Sequence, residues 1–228
     1  MISIAGLVGA GASALASPYA DALSALNRRQ YEDAARLFGH AIASNLQPGE
    51  SLWYRAEIRA YQRRPADAYA DCDRLRQLAP RSSASLLARA RVCELLGDDP
   101  GAERSLRAAI AAFPMSPRAY NSLAWRLATN PSAGVRNGRE AVRLAQRGCD
   151  LTHYESWGYL DTLAAAYAEA GNWTEAVRVQ RDAIERVKRK ISHGPANETL
   201  EEMNVRLREF QSSKPYRRQP EREVLVDS

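Results

Sequence analysis

Small residues return along this chain at a fixed interval, and that interval constrains the fold more than any other feature. Ala22, Ala56, Ala90 and Ala124 stand 34 residues apart in turn, and Ala164 follows after 40. A second series begins twelve residues behind the first, as Ala34, Ala68 and Ala102, and continues with Ala141 and Ala176. A third lies seven residues beyond the second and reads Ala41, Leu75, Ala109, Gly148 and Ala183. Pro80 and Pro114 keep the 34-residue step, with Pro48 two residues out of phase. Three series sharing one period describe a supersecondary unit repeated about five times.

The spacing within the unit says what it is. Seven residues is two turns of α-helix, so the second and third small residues share one face of one helix. The first small residue belongs to a preceding helix, and small side chains at all three slots let the two backbones approach. Composition agrees: hydrophobic residues make up 45% of the chain but aromatics only 7%, and alanine dominates the apolar share. An alanine core needs closely packed helices, which argues against a β-sandwich or barrel. The turn between helices is readable at Leu96-Gly97-Asp98-Asp99-Pro100. There Gly97 stops one helix, Asp99 caps the next and Pro100 takes its first position. Ala170-Gly171-Asn172-Trp173 repeats the arrangement.

This pattern resembles the tetratricopeptide repeat (TPR) family over residues 17–187, most clearly at Tyr120-Asn121-Ser122-Leu123-Ala124-Trp125 and from Leu160 to Gly171. Earlier units depart from the family at large slots, with Arg55 and Arg89 where leucine is usual and Arg59 where an aromatic is usual. The resemblance implies an all-α, right-handed superhelical solenoid of about five helical hairpins. In the fourth, Ala124 and Ala141 are seventeen residues apart against twelve elsewhere, so a five-residue insertion falls within Thr129–Gly138. A lengthened turn is the simpler reading of that insertion, and a binding feature at the solenoid edge the other.

Beyond the array, Lys188-Arg189-Lys190 and a break at His193-Gly194-Pro195 lead to an amphipathic segment from Glu198 to Gln211. Its Leu200, Met203, Leu207 and Phe210 suit a helix capping the last repeat, so residues 188–211 are read as linker and cap. Residues 212–228 are polar and charged and are expected to form a flexible tail. At the other end, residues 1–16 carry no charge and run through small apolar side chains to Ala14-Leu15-Ala16. They read as a leader, an anchor or a frayed helix; Ser17-Pro18 then supplies the cap and first position of the first repeat helix. The missing basic n-region favours a cytoplasmic protein, and export to the periplasm is the alternative if residues 1–16 are a signal peptide.

Catalytic chemistry finds no foothold. His40, His153 and His193 are far apart and have no cysteine or carboxylate at metal-ligand spacing, so no metal is expected. Gly6-Leu7-Val8-Gly9-Ala10-Gly11 has its glycines in the wrong order for a dinucleotide fingerprint, and no cofactor is expected either. Cys72, Cys93 and Cys149 fall beside small slots and read as buried small hydrophobes, with a Cys72–Cys93 bridge as a minor possibility. An odd, scattered set of three argues against a disulfide framework.

Two groups of residues suit binding. The resemblance places an inner, concave face on the first helix of each unit. The residues flanking the small slot there are Trp53, Glu57, Arg91, Asn121, Trp125 and Asp161. Tryptophans beside polar groups suit capture of a peptide or helix, and packing between adjacent helices is the competing reading. The basic pattern of TPR domains that clamp a chaperone's C-terminal carboxylate is not reproduced. The second group is an arginine stripe, Arg139, Arg143 and Arg147, with Arg136 as an outlying member. The net charge of +5 is spread among interleaved acids, so the stripe reads as a solvated face before it reads as a docking site for an acidic protein or nucleic acid. The expected function is a non-catalytic scaffold or adaptor for a protein or peptide partner. The alternatives are a regulatory or nucleic-acid-associated module and an exported assembly factor.

Overall fold

The structure is a computed structural model that describes residues 17–190 and 197–219. The leader reading of residues 1–16, the glycine run within them and the break at His193-Gly194-Pro195 lie outside the described residues.

Five helical hairpins follow one another, in two compact units. Residues 17–112 carry α1 (Pro18–Asn27), α2 (Tyr31–Ala43), α3 (Pro48–Tyr61), α4 (Pro65–Leu78), α5 (Ala84–Leu96) and α6 (Asp99–Ala112). Residues 113–219 carry α7 (Pro117–Thr129), α8 (Gly138–Leu151), α9 (Trp157–Glu169), α10 (Trp173–Lys190) and α11 (Asn197–Gln211). No strand occurs among the described residues. Each odd-numbered helix up to α9 pairs with the next even one, and within the units α3 packs on α5 and α7 on α9.

The small-residue series sit at these seams. Ala22, Ala56, Ala90, Ala124 and Ala164 lie on the first helices and Ala34, Ala68, Ala102, Ala141 and Ala176 on the second, all buried. A larger side chain at any of them would hold two backbones apart.

The hairpin turns share a geometry that the sequence shows only in part. Arg29, Arg63, Gly97 and Gly171 all take positive φ, at 61°, 55°, 79° and 78°. Each is followed by a residue whose N–H reaches back to the last helical turn, as Asp98 to Cys93 and Arg64 to Arg59, both at 2.8 Å. This is the left-handed helix stop that favours glycine, and the first two hairpins use arginine for it. Capping also differs by one residue from expectation at α6. Asp98, not Asp99, accepts the Gly101 N–H at 2.9 Å, because Gly97 already completes the stop and leaves its neighbour at the cap. Ser17, Asn137 and Asn172 cap α1, α8 and α10 through the N–H groups of Ala20, Glu140 and Glu175.

The arginines at large slots are matched across the hairpins. Asp71 of α4 is 1% exposed and accepts Arg55 through both oxygens, at 2.6 and 2.9 Å, and Arg59 at 2.6 Å. A partly buried ion triad thus stands at these slots, with Asp71 buried and both arginines keeping some access to water. Arg89 lies over the Tyr69 ring, 4.6 Å from its centre. The insertion after α7 forms a 3₁₀ turn at Ala133–Val135, and Arg136 donates to the Asn130 and Pro131 carbonyls at 3.0 and 2.9 Å. At Gly138, where α8 starts, a Cβ would come 2.6 Å from the Ala170 backbone nitrogen, so only glycine fits that approach.

The three cysteines are free and buried. Burial pushes Cys72 and Cys149 up to about 12, and the Cys93 thiol up as well.

Candidate functional site

The six residues expected on the first-helix face divide between the two units. In the first unit, three of them come together. The Trp53 indole N–H donates to Glu57 at 2.5 Å, one turn on along α3. The other Glu57 oxygen lies 3.9 Å from the Arg91 guanidinium of α5, which also donates to the Tyr61 hydroxyl at 3.4 Å. Arg91 lies 3.7 Å from Glu94 as well. Trp53 is half-buried against the cluster around Leu52, Ala56 and Val92. Trp53 thus packs on this cluster, and its indole N–H begins a polar row running from α3 to α5.

In the second unit, Trp125 is 5% exposed and Asp161 4% exposed, so neither faces open solvent. What covers them comes from far along the chain. Arg206 of α11 donates to Asp161 at 3.0 Å, and Gln180 of α10 donates to the same oxygen at 2.7 Å. Gln180 also reaches the Met203 carbonyl at 3.2 Å, tying α10 to α11. Burial works against the Arg206 charge, but the Asp161 carboxylate and its hydrogen bond outweigh it and raise the affinity of Arg206 for its proton. The guanidinium lies 5.7 Å from the Trp125 ring centre and 5.3 Å from that of Tyr216. Asn121 is half-buried, and its side-chain oxygen has no hydrogen-bond partner among the described residues.

The segment after α11 continues this cover. Of the tail expected to be flexible from Ser212 onward, residues 212–219 are described: Ser212, Ser213 and Lys214 bond back to α11, and Tyr216, Arg217 and Arg218 meet α7 and α9; residues 220–228 lie outside the described residues. Tyr216 meets Trp125 with ring centres 5.8 Å apart at 43°. Arg217 pairs with Glu169 at 2.7 Å, and the Arg218 N–H donates to the Thr129 carbonyl at 2.9 Å. Burial raises the Tyr216 hydroxyl above its ordinary range.

The arginine stripe loses one expected member. Arg136 turns inward to Glu169 at 3.0 Å, because the insertion folds back on the end of α9. Arg139, Arg143 and Arg147 lie along α8, and Arg147 sits 3.9 Å from the Met115 sulfur. Nowhere among the described residues do three His, Cys, Asp or Glu side chains converge so as to hold a metal ion. No helix among them is long and apolar enough to cross a membrane.

Sequence reasoning missed Arg206, Gln180, Glu169 and Tyr216. A signal existed for the first: Arg206 interrupts the apolar stripe of α11, three residues after Met203 and four before Phe210, both fully buried. A cation on such a stripe requires a buried anion, and Asp161 stands within the apolar run of α9.

No family model matches the chain, and no curated protein matches it. Among solved structures it is similar to the thermophilic TPR protein TTC0263 of Thermus thermophilus, at 18% identity over 86% of this chain and 96% of that one, with a TM-score of 0.59. It is also similar to a tetratricopeptide repeat protein from Parabacteroides merdae, at 14% identity over 85% and 70% of the two chains, TM-score 0.53. Against MamA the identity is 17% over 75% and 97%, with a TM-score of 0.50. At these identities the likeness establishes the fold, which is all-α and of tetratricopeptide type.

Proposed function

We propose that this chain is a non-catalytic interaction scaffold, an adaptor that holds a partner peptide or helix on the first-helix face of its repeats. The observation carrying this is the row Trp53–Glu57–Arg91. A half-buried aromatic edge, a nearly buried carboxylate and a partly exposed guanidinium are held in one line across two helices. Such a row offers rigid contact area for affinity and fixed charge for specificity. A TPR-type fold is compatible with this use but does not by itself imply it.

The test is selection of a peptide library on the full chain, repeated on Trp53→Ala and Arg91→Glu variants whose helicity and melting match the wild type. A consensus that survives moderate salt and is lost by either variant supports the reading. A consensus indifferent to both variants sinks it.

The row of Arg139, Arg143 and Arg147 favours one second reading, a regulatory module binding an acidic protein or nucleic acid through α8. Its signature is affinity that falls steeply with salt and is lost in an Arg139→Glu/Arg143→Glu variant. We further propose a cytoplasmic site of action, in keeping with three free thiols, with export as the alternative. N-terminal sequencing of the native protein decides it: cleavage after Ala16 would mean export.

A further inference from the structure

We propose that the α7–α9 face is a peptide site, filled in the free chain by residues 216–218 as a stand-in for a partner segment that presents an aromatic side chain followed by arginine. This deepens the scaffold reading and rests on it. The segment carries neither helix nor strand, and residues 216–218 make three different kinds of contact at once. Its backbone N–H at Arg218 bonds the Thr129 carbonyl, a carbonyl left open at the end of α7. Its Arg217 lies 2.7 Å from one oxygen of Glu169 as an ion pair without hydrogen-bond geometry, and Arg136 holds the other oxygen, so the carboxylate is fixed in place before any ligand arrives. Its Tyr216 meets Trp125 at a tilt, and the Arg206 guanidinium lies against both rings.

Two polar atoms of α7 stay unsatisfied beside this segment's contacts on the same helix. The Trp125 indole N–H is buried and has no hydrogen-bond partner among the described residues, and the same holds for the Asn121 side-chain oxygen. A segment carrying an acceptor for that N–H would satisfy the face better than the tail does. The tail's own cation is the exchangeable part, since Arg217 is 31% exposed while Glu169 is 14% exposed. Acidic Glu169 and the aromatic Trp125 thus define the ligand chemistry, an aromatic residue followed by a basic one.

The experiment uses a fluorescein-labelled peptide with the sequence of residues 212–219 and follows its anisotropy on the full chain. Wild type is compared with a Tyr216→Ala/Arg217→Ala variant, in which the internal competitor is weakened. The variant is expected to bind the peptide at least tenfold more tightly than wild type, and a peptide with both arginines changed to glutamate is expected to bind neither. Equal binding by the two proteins overturns the proposal, as does indifference to the charge reversal. If the double variant loses helicity, Arg217→Glu alone is used; loss of fold there too makes the segment a strap and overturns it. Binding that appears only as tail exchange between two copies, seen as a mass that doubles with concentration, also overturns the partner assignment. A library consensus that still depends on Arg91 would then leave the scaffold reading standing.

Discussion

The first three hairpins and the last two use the same alanine seams and treat the space beside them differently. In residues 17–112 the first-helix face carries charge that is settled locally: Asp71 answers Arg55 and Arg59 within one hairpin, and Glu57 answers Arg91 one helix away. In residues 113–219 the corresponding face carries Trp125 and Asp161; Gln180 bonds Asp161 from within the last hairpin, and Arg206, 45 residues after Asp161, and Tyr216 cover the pair from beyond the repeats. The difference teaches that polar groups on a first-helix face can be answered either by partners within the repeats or with the help of an added element.

The sharpest way to break the comparison is at the two buried carboxylates. Asp161→Ala strands Arg206 and Gln180 and should cost about 3–5 kcal/mol. Asp71→Ala should cost less, about 2–4 kcal/mol, because Arg55 and Arg59 keep some access to water and can relax toward it. Hydrogen exchange locates the damage: Asp161→Ala should loosen α11, Asp71→Ala only α3 and α4. Loosening of α11 by both variants would mean that the charges are not settled locally. Gly138→Ala comes next, at about 1–3 kcal/mol in urea melts, since its Cβ must push back the Ala170 backbone. A neutral result there would remove the close approach as the reason for the insertion's path.

Alkaline titration should affect both units alike. Cys72 and Cys149 have folded values of about 12 against an ordinary value of 9.0. Their contribution is therefore complete below pH 9 and is lost as pH rises from there toward 12. By pH 10 the loss should be about 1 kcal/mol per thiol, and Cys72→Ala/Cys149→Ala should flatten the slope of Tm against pH. An unchanged slope would show that other groups carry it. The smallest effect should be a gain: Arg63→Gly relieves a left-handed residue and should stabilise by up to about 1 kcal/mol, whereas Gly97→Ala should lose a similar amount. Equal, small losses at both positions would mean that the turns are held by contacts and not by backbone preference.

Much of the fold was legible because the relevant signals are local and periodic. A helical seam repeats every turn, so Ala22 through Ala183 mark the same contacts in sequence and in space, and proline and glycine punctuate between them. The turns at Arg29 and Arg63 were less legible, since arginine gives no sign of positive φ; only their 34-residue step to Gly97 could have revealed them. Trp53, Glu57 and Arg91 were named from their register and do meet. Arg136 was grouped with the stripe by spacing alone, and the path of an inserted turn is not periodic.

The sequence alone determined the hairpins, their number and the residues at their seams, because helix periodicity converts spacing directly into facing. Only the tertiary structure decided which of those faces stays open. That depends on contacts between groups far apart in the chain, such as Arg206 with Asp161 and Tyr216 with Trp125. Such pairs leave no mark in spacing: a buried cation and a buried carboxylate each look misplaced in sequence until the fold brings them together.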